Sequence, residues 1–184
     1  MLLSPLVLLR ARWLVRSLVL LPAAAIASAH AEPVDRMLYA FQDRIITEGD
    51  LAFDIDLDPH DQSAVPALEA PDYAAEQRIV DLTIIRALAG DTLIYRPTPE
   101  EVEVRWERVR ASWPRAEDFD AFLTRWGLDG DALRGLLYSR MVSERYIRRV
   151  AATHDVPAET EAFAPIYQEW IAEIRAKAQP RRAP

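Results

Sequence analysis

The chain is predicted to be a mainly α protein, opened by a short N-terminal β-hairpin and closed by a C-terminal helix that packs back on the core. Three observations predict it. Helix start signals precede apolar stripes at three- and four-residue spacing over much of the chain. Strand-like runs are confined to the stretch before residue 60. A closing stripe of Tyr167, Trp170, Ile171 and Ile174 calls for a packing partner.

Before the first element lies a leader. Arg10, Arg12 and Arg16 form a basic region without an acidic residue, Ser17–Ala29 is an apolar run, and Ala29-His30-Ala31 is an A-x-A site. Residues 1–31 therefore read as a secretory signal peptide cut after Ala31, with Ala27-Ser28-Ala29 as a second choice. The alternative is an uncleaved anchor. The run is short for one, since a span needs roughly 20 apolar residues, and Pro22 interrupts it. Residues 32–184 then form a single domain, periplasmic or secreted, with no membrane anchor after processing.

Val34–Ala40 and Arg44–Ile46 flank the polar Phe41-Gln42-Asp43 and suggest a small hairpin. Leu51–Asp58 alternates, with Phe53, Ile55 and Leu57 against Asp54, Asp56 and Asp58, and suggests an extended segment with a solvated acidic edge. A helix capped by Thr47, with Asp50 in its first turn, competes for the same residues. Pro59 ends either one, and residues 59–71, with Pro59, Pro66 and Pro71, read as a loop.

Asp72 is a candidate cap for a central core helix reaching Gly90, since Ile79, Val80, Leu82, Ile84, Ile85 and Leu88 make it apolar around much of its girth. Thr98-Pro99-Glu100-Glu101 is a capping box with proline in the first turn. Val102, Trp106, Val109 and Trp113 continue it as one stripe, closed by Pro114. Phe119, Phe122, Leu123 and Trp126 mark a short helix stopped by Gly127. Asp129 caps the next, which runs to about Ala152. A last helix covers about Pro165–Ala178, with Phe163 ahead of it and Tyr167, Trp170, Ile171 and Ile174 on one face. That stripe needs a packing partner, because so short a helix is marginal alone. The tail Gln179–Pro184 is expected to fray.

Composition narrows the function. The net charge is −7, and removal of the leader takes three arginines and no acid with it, so a nucleic-acid or anionic-lipid surface is disfavoured. With no cysteine, disulfides, thiolate catalysis and Cys-based zinc sites are excluded. The acidic run at Asp54–Asp58 fails as a calcium loop, with Pro59 where glycine is needed and Val65 where the closing glutamate belongs. His60 and His154 have no partner at ligand spacing, although Asp58, His60 and Asp61 could hold a metal weakly. No nucleophile elbow or phosphate loop is present, so neither a catalytic residue nor a cofactor is expected.

Several pieces, in order, resemble SurA-type periplasmic chaperones. They are Val34–Thr47, Ile79–Ile85, Pro97–Val102, and the stretch from Phe119 through Trp126-Gly127-Leu128-Asp129 and Leu133-Arg134 to Arg140–Arg145. The resemblance implies a SurA N-terminal-like helical domain whose partners are unfolded exported or outer-membrane proteins. The chain departs from that family in one respect: no room remains between Val150 and the last helix for a parvulin prolyl isomerase domain, which many members carry. The segment Phe53–Pro71 has no counterpart. The expected function is a non-enzymatic chaperone-like protein that shields apolar segments. The alternatives are an adaptor or assembly subunit holding one folded partner, or an enzyme hidden in the unmatched segment. Trp113, Tyr138 and Met141 are the candidate client-binding residues, as aromatic and thioether groups on amphipathic helices.

Overall fold

The computed structural model describes residues 35–71 and 73–183, which belong to the unit Val34–Pro184. The proposed leader with its cleavage site at Ala31, together with Val34 and the candidate cap Asp72, lies outside the described residues.

The hairpin forms as expected from strands β1 (Met37–Phe41) and β2 (Arg44–Thr47), which pair antiparallel with Phe41 opposite Arg44 and Tyr39 opposite Ile46. The turn is the two residues Gln42-Asp43, and Gln42 takes φ +55°, the left-handed value that such a turn demands at its first position. The tail does not fray. Arg181–Arg182 forms strand β3 on the other side of β1, giving the order β2-β1-β3. Ala183 N–H also donates to the Leu38 carbonyl at 2.8 Å. Two arginines carry no strand signal; the free edge of β1 supplies it.

Leu51–Asp58 is not extended. Helix α1 runs Glu48–Leu57, and its cap decided the competition. The Thr47 side chain accepts from Asp50 N–H at 3.1 Å, while the Asp50 carboxylate accepts from Thr47 N–H at 2.9 Å. This reciprocal box satisfies two otherwise orphaned donors, which a period-two side-chain pattern cannot offset. The helix also changes the fate of the acidic run. Asp54 and Asp58, four apart, share a face and both reach Arg78, whereas Asp56 points elsewhere, to the Trp126 indole N–H at 2.8 Å and to Arg125. The three acidic residues are ion-paired, with Asp54 buried and Asp56 and Asp58 partly exposed.

Residues 59–71 contain single 3-10 turns at Asp58–His60 and Pro66–Leu68, and they are more than a covering loop. Val65, Ala67 and Leu68 are buried among Ile85, Ile147, Ala151 and the closing helix.

Helix α2 (Ala75–Ala89) is central, touching α1, β1, α5 and α6. Its N-cap is Ala74, without a side-chain cap. Gly90 ends it at φ +55°, where a Cβ would strain the backbone. A 3-10 turn at Leu93–Tyr95 leads to helix α3 (Pro99–Ala111), which carries the expected box between Thr98 and Glu101. Helix α4 (Ala116–Arg125) ends at Gly127, φ +61°, and α5 (Gly130–Thr153) is capped by Asp129, whose carboxylate accepts from Ala132 N–H at 2.7 Å.

Helix α6 spans Phe163–Ala178, starting two residues before the expected Pro165. It docks through buried Phe163, Tyr167 and Ile171. Trp170, expected in the core, is only half-buried at the margin, between Tyr146 and Tyr167. A second cluster joins Leu57, Trp106, Val109, Phe119, Phe122, Leu133 and Leu137, and a third seats Phe41 and Ile46 on Val80 and Ile84. Among the described residues, no helix is long and apolar enough to cross a membrane.

Candidate functional site

Four elements leave a groove of about 330 Å³ between them. The strand β2 gives one wall with Arg44, Ile45 and Ile46, and α1 gives Asp50, Phe53 and Asp54. Helix α2 contributes Ile79, Leu82, Thr83 and Arg86, one stripe at helical spacing, and α5 contributes Leu136, Ser139, Arg140 and Ser143, another. Its lining is mixed, with six apolar residues among eight polar or charged ones, which suits an amphiphilic segment. Two of its apolar residues face solvent: Ile45 at 60% and Leu136 at 38% exposure. Burying them against a partner is favourable by roughly 25 cal/mol per Å² of apolar area removed from water.

The floor of the groove is ionic. Asp54 accepts from Arg78 at 3.0 Å and from Arg140, and Arg140 also reaches Asp61 at 3.1 Å. Arg105 donates to both oxygens of Asp61, at 2.6 and 2.9 Å, and to both oxygens of Glu144, at 3.0 Å each. The Ser63 hydroxyl donates to Glu144 at 2.9 Å, and Ser63 N–H donates to Glu69 at 2.7 Å. This network ties α1, the 59–71 segment, α2, α3 and α5 together. Burial opposes the charge of Arg105, but the hydrogen bonds to Asp61 and the charges of Glu144 and Asp61 outweigh it and hold its pKa above the ordinary value. Arg78 is raised in the same balance by Asp54 and Asp58. Burial pushes the Glu69 carboxyl up, opposed by the Ser63 N–H. A buried charge network adds little net stability over apolar packing, but each pair is directional and fixes how its elements sit.

A second polar cluster lies away from the groove. Asp81, fully buried, accepts from Arg175 at 2.9 and 2.6 Å, from Gln77 at 3.2 Å and from Tyr73, and Tyr73 meets the Tyr167 hydroxyl at 3.2 Å. It fastens α6 to α2.

The residues singled out from the sequence do not form one patch. Trp113 is half-buried, its ring stacked on His60 at 3.6 Å, beside a cavity of about 480 Å³ lined also by Asp118, Ala121 and Arg125. Met141 lines a different cavity, of about 380 Å³, with Val104 and Arg108 of α3 and Arg148 of α5. Tyr138 is half-buried on α5 and lines neither. None of the three lines the groove. The groove residues carried no shared signal in the sequence, because they come from four segments and each is explained locally as hairpin or stripe. No protein-family model, curated protein or solved structure matches the chain.

Proposed function

We propose that this chain is a non-enzymatic, chaperone-like protein of the periplasm that holds apolar segments of unfolded exported proteins in the groove between β2, α1, α2 and α5. The observation that carries the reading is the groove itself, with Ile45 and Leu136 exposed on opposite walls above a fixed ionic floor. The resemblance to SurA-type chaperones and the proposed leader supply the clients and the compartment. Binding of this kind draws on non-directional apolar burial and is broad and weak.

The test is suppression of aggregation of a urea-unfolded outer-membrane β-barrel protein at modest molar excess of the chain. The wild type suppresses, Leu136→Asp loses most of the effect, and Met141→Glu, in the α3–α5 cavity, keeps it. No suppression by the wild type removes the chaperone reading. Loss with Met141→Glu and not with Leu136→Asp keeps the function and moves the site.

An adaptor for one folded partner is the second reading, favoured by a separate surface. Tyr95, Tyr146 and Trp170 stand in a row with ring centroids 5.2 and 6.1 Å apart, next to Leu93 and Ile94, which are exposed. Aromatic clusters of this type anchor protein interfaces. Capture of a single stoichiometric protein from periplasmic extract, lost on Tyr146→Ala, would select this reading.

A further inference from the structure

Three consecutive residues of β2, namely Arg44, Ile45 and Ile46, line the same groove. Successive side chains of a strand point to opposite faces, so a groove that meets all three runs along the strand's edge. Ile46 is buried and Ile45 exposed, as opposite faces require. The order β2-β1-β3 makes β2 an outer strand, and among the described residues no strand pairs with its other side. The two-residue turn makes Phe41 and Arg44 the closing hydrogen-bonded pair. By alternation, the N–H and C=O of Ile45, opposite Ala40, point away from β1 and toward the groove.

We propose, building on the chaperone reading above, that the groove recognises its client by strand addition: an extended apolar segment flanked by acidic residues pairs with the edge of β2 at Ile45, the Thr47 N–H being already held by Asp50. The dimensions agree. The stripes Ile79–Arg86 and Leu136–Ser143 each run about 10 Å along their helices, the length of about three extended residues. Alternate side chains of the added strand reach Phe53, Leu82 and Leu136. Charge selects the flanks. Both aspartates that line the groove are engaged, Asp50 by the Thr47 cap and Asp54 by Arg78 and Arg140, and so are two of its three arginines, Arg140 by Asp54 and Asp61 and Arg86 by Asp91 and the Gly90 carbonyl. Arg44, exposed at the rim, has no ion-pair partner among the described residues. In a chain of net charge −7, Arg44 is therefore a local unpaired cation at the rim of the trough, placed to meet an acidic flank. Backbone pairing supplies affinity independent of client sequence, while the trough and rim supply preference.

The probe is the fluorescein-labelled peptide Asp-Val-Tyr-Val-Tyr-Val-Asp, followed by anisotropy on the wild-type protein. Two partners carry N-methyl groups on alternate residues, one set in each register, so that each blocks one edge of the extended peptide and leaves the side chains intact. The expected result is that methylation of one register weakens binding about tenfold and methylation of the other changes it little. Replacing both aspartates by lysine also weakens binding, and the Ile45 amide exchanges more slowly with the parent peptide bound. Failure of the parent to bind, or equal binding of both methylated peptides and the parent, overturns strand addition. The second outcome does so even where aggregation suppression persists. Register-selective binding without aggregation suppression supports strand addition and removes only the chaperone reading.

Discussion

Replacing Arg105 by methionine tests whether the ionic floor holds the fold as its geometry implies. The Arg105 side chain is 6% exposed, that of Asp61 is 0% and that of Glu144 is 9%. Its loss removes the donors to four carboxylate oxygens. Asp61 keeps Arg140 at 3.1 Å and Arg108 at 3.7 Å, so its charge stays compensated. Glu144 keeps only the Ser63 hydroxyl and becomes the uncompensated buried charge. Removing one partner of a buried pair costs about 3–5 kcal/mol. At about 2–4 °C per kcal/mol for a domain of this size, Arg105→Met lowers Tm by about 6–20 °C. Urea unfolding of residues 32–184, followed by circular dichroism at pH 7.5, measures the cost directly. The double variant Arg105→Met/Glu144→Leu removes the stranded charge with its partner and recovers most of the loss, since a buried pair and well-packed apolar residues are close in stability. A loss below about 1 kcal/mol in the single variant, or no recovery in the double, refutes the reasoning.

Two further predictions concern α6 and pH. Tyr167→Ala costs about 3–5 kcal/mol, as for a core aromatic, whereas Trp170→Ala costs about half as much because Trp170 is only half-buried; equal losses in urea titrations would contradict the placement of α6. Burial raises the folded-state pKa of Glu69 above its unfolded value, so ionisation disfavours the fold as pH rises through the glutamate range. Glu69→Gln, whose carbonyl still accepts from Ser63 N–H, is therefore more stable than the wild type at pH 7 and loses that advantage at pH 3; the same difference at both values would sink the argument.

Much of the helical framework was legible because its signals are local. The box of Thr98 with Glu101, the cap at Asp129 and the Phe163–Ile171 stripe each lie within a few turns of the helix they define. Helix α1 was ambiguous for a physical reason. Its apolar and acidic residues alternate, yet the cap favours a helix, and that helix puts Leu57 in the core beside Asp54 and Asp58, whose charges Arg78 meets. The ionic floor was illegible because its partners are distant, 24 positions for Arg78 with Asp54 and 86 for Arg140 with Asp54. In the sequence those arginines belong to the polar sides of their helices, the usual place for such residues. The groove inherits the same difficulty, since Ile45, Phe53, Ile79 and Leu136 meet only after four elements have packed.

The ionic floor and the groove share Asp54 and Arg140, and this joins stability to the proposed function. A trough that accepts many apolar sequences cannot depend on its occupant to set its width, because weak broad binding supplies little energy for rearrangement. Apolar packing alone tolerates sliding and repacking of helices past one another. Directional guanidinium–carboxylate bonds do not: Arg105 is bidentate to both Asp61 and Glu144, and Asp54 accepts a single bond from each of Arg78 and Arg140. Asp54 comes from α1, Arg78 from α2 and Arg140 from α5, the same three helices that line the groove with β2. The buried charges thus fix how α1, α2 and α5 sit around the groove, which is what the proposed binding of varied extended segments requires.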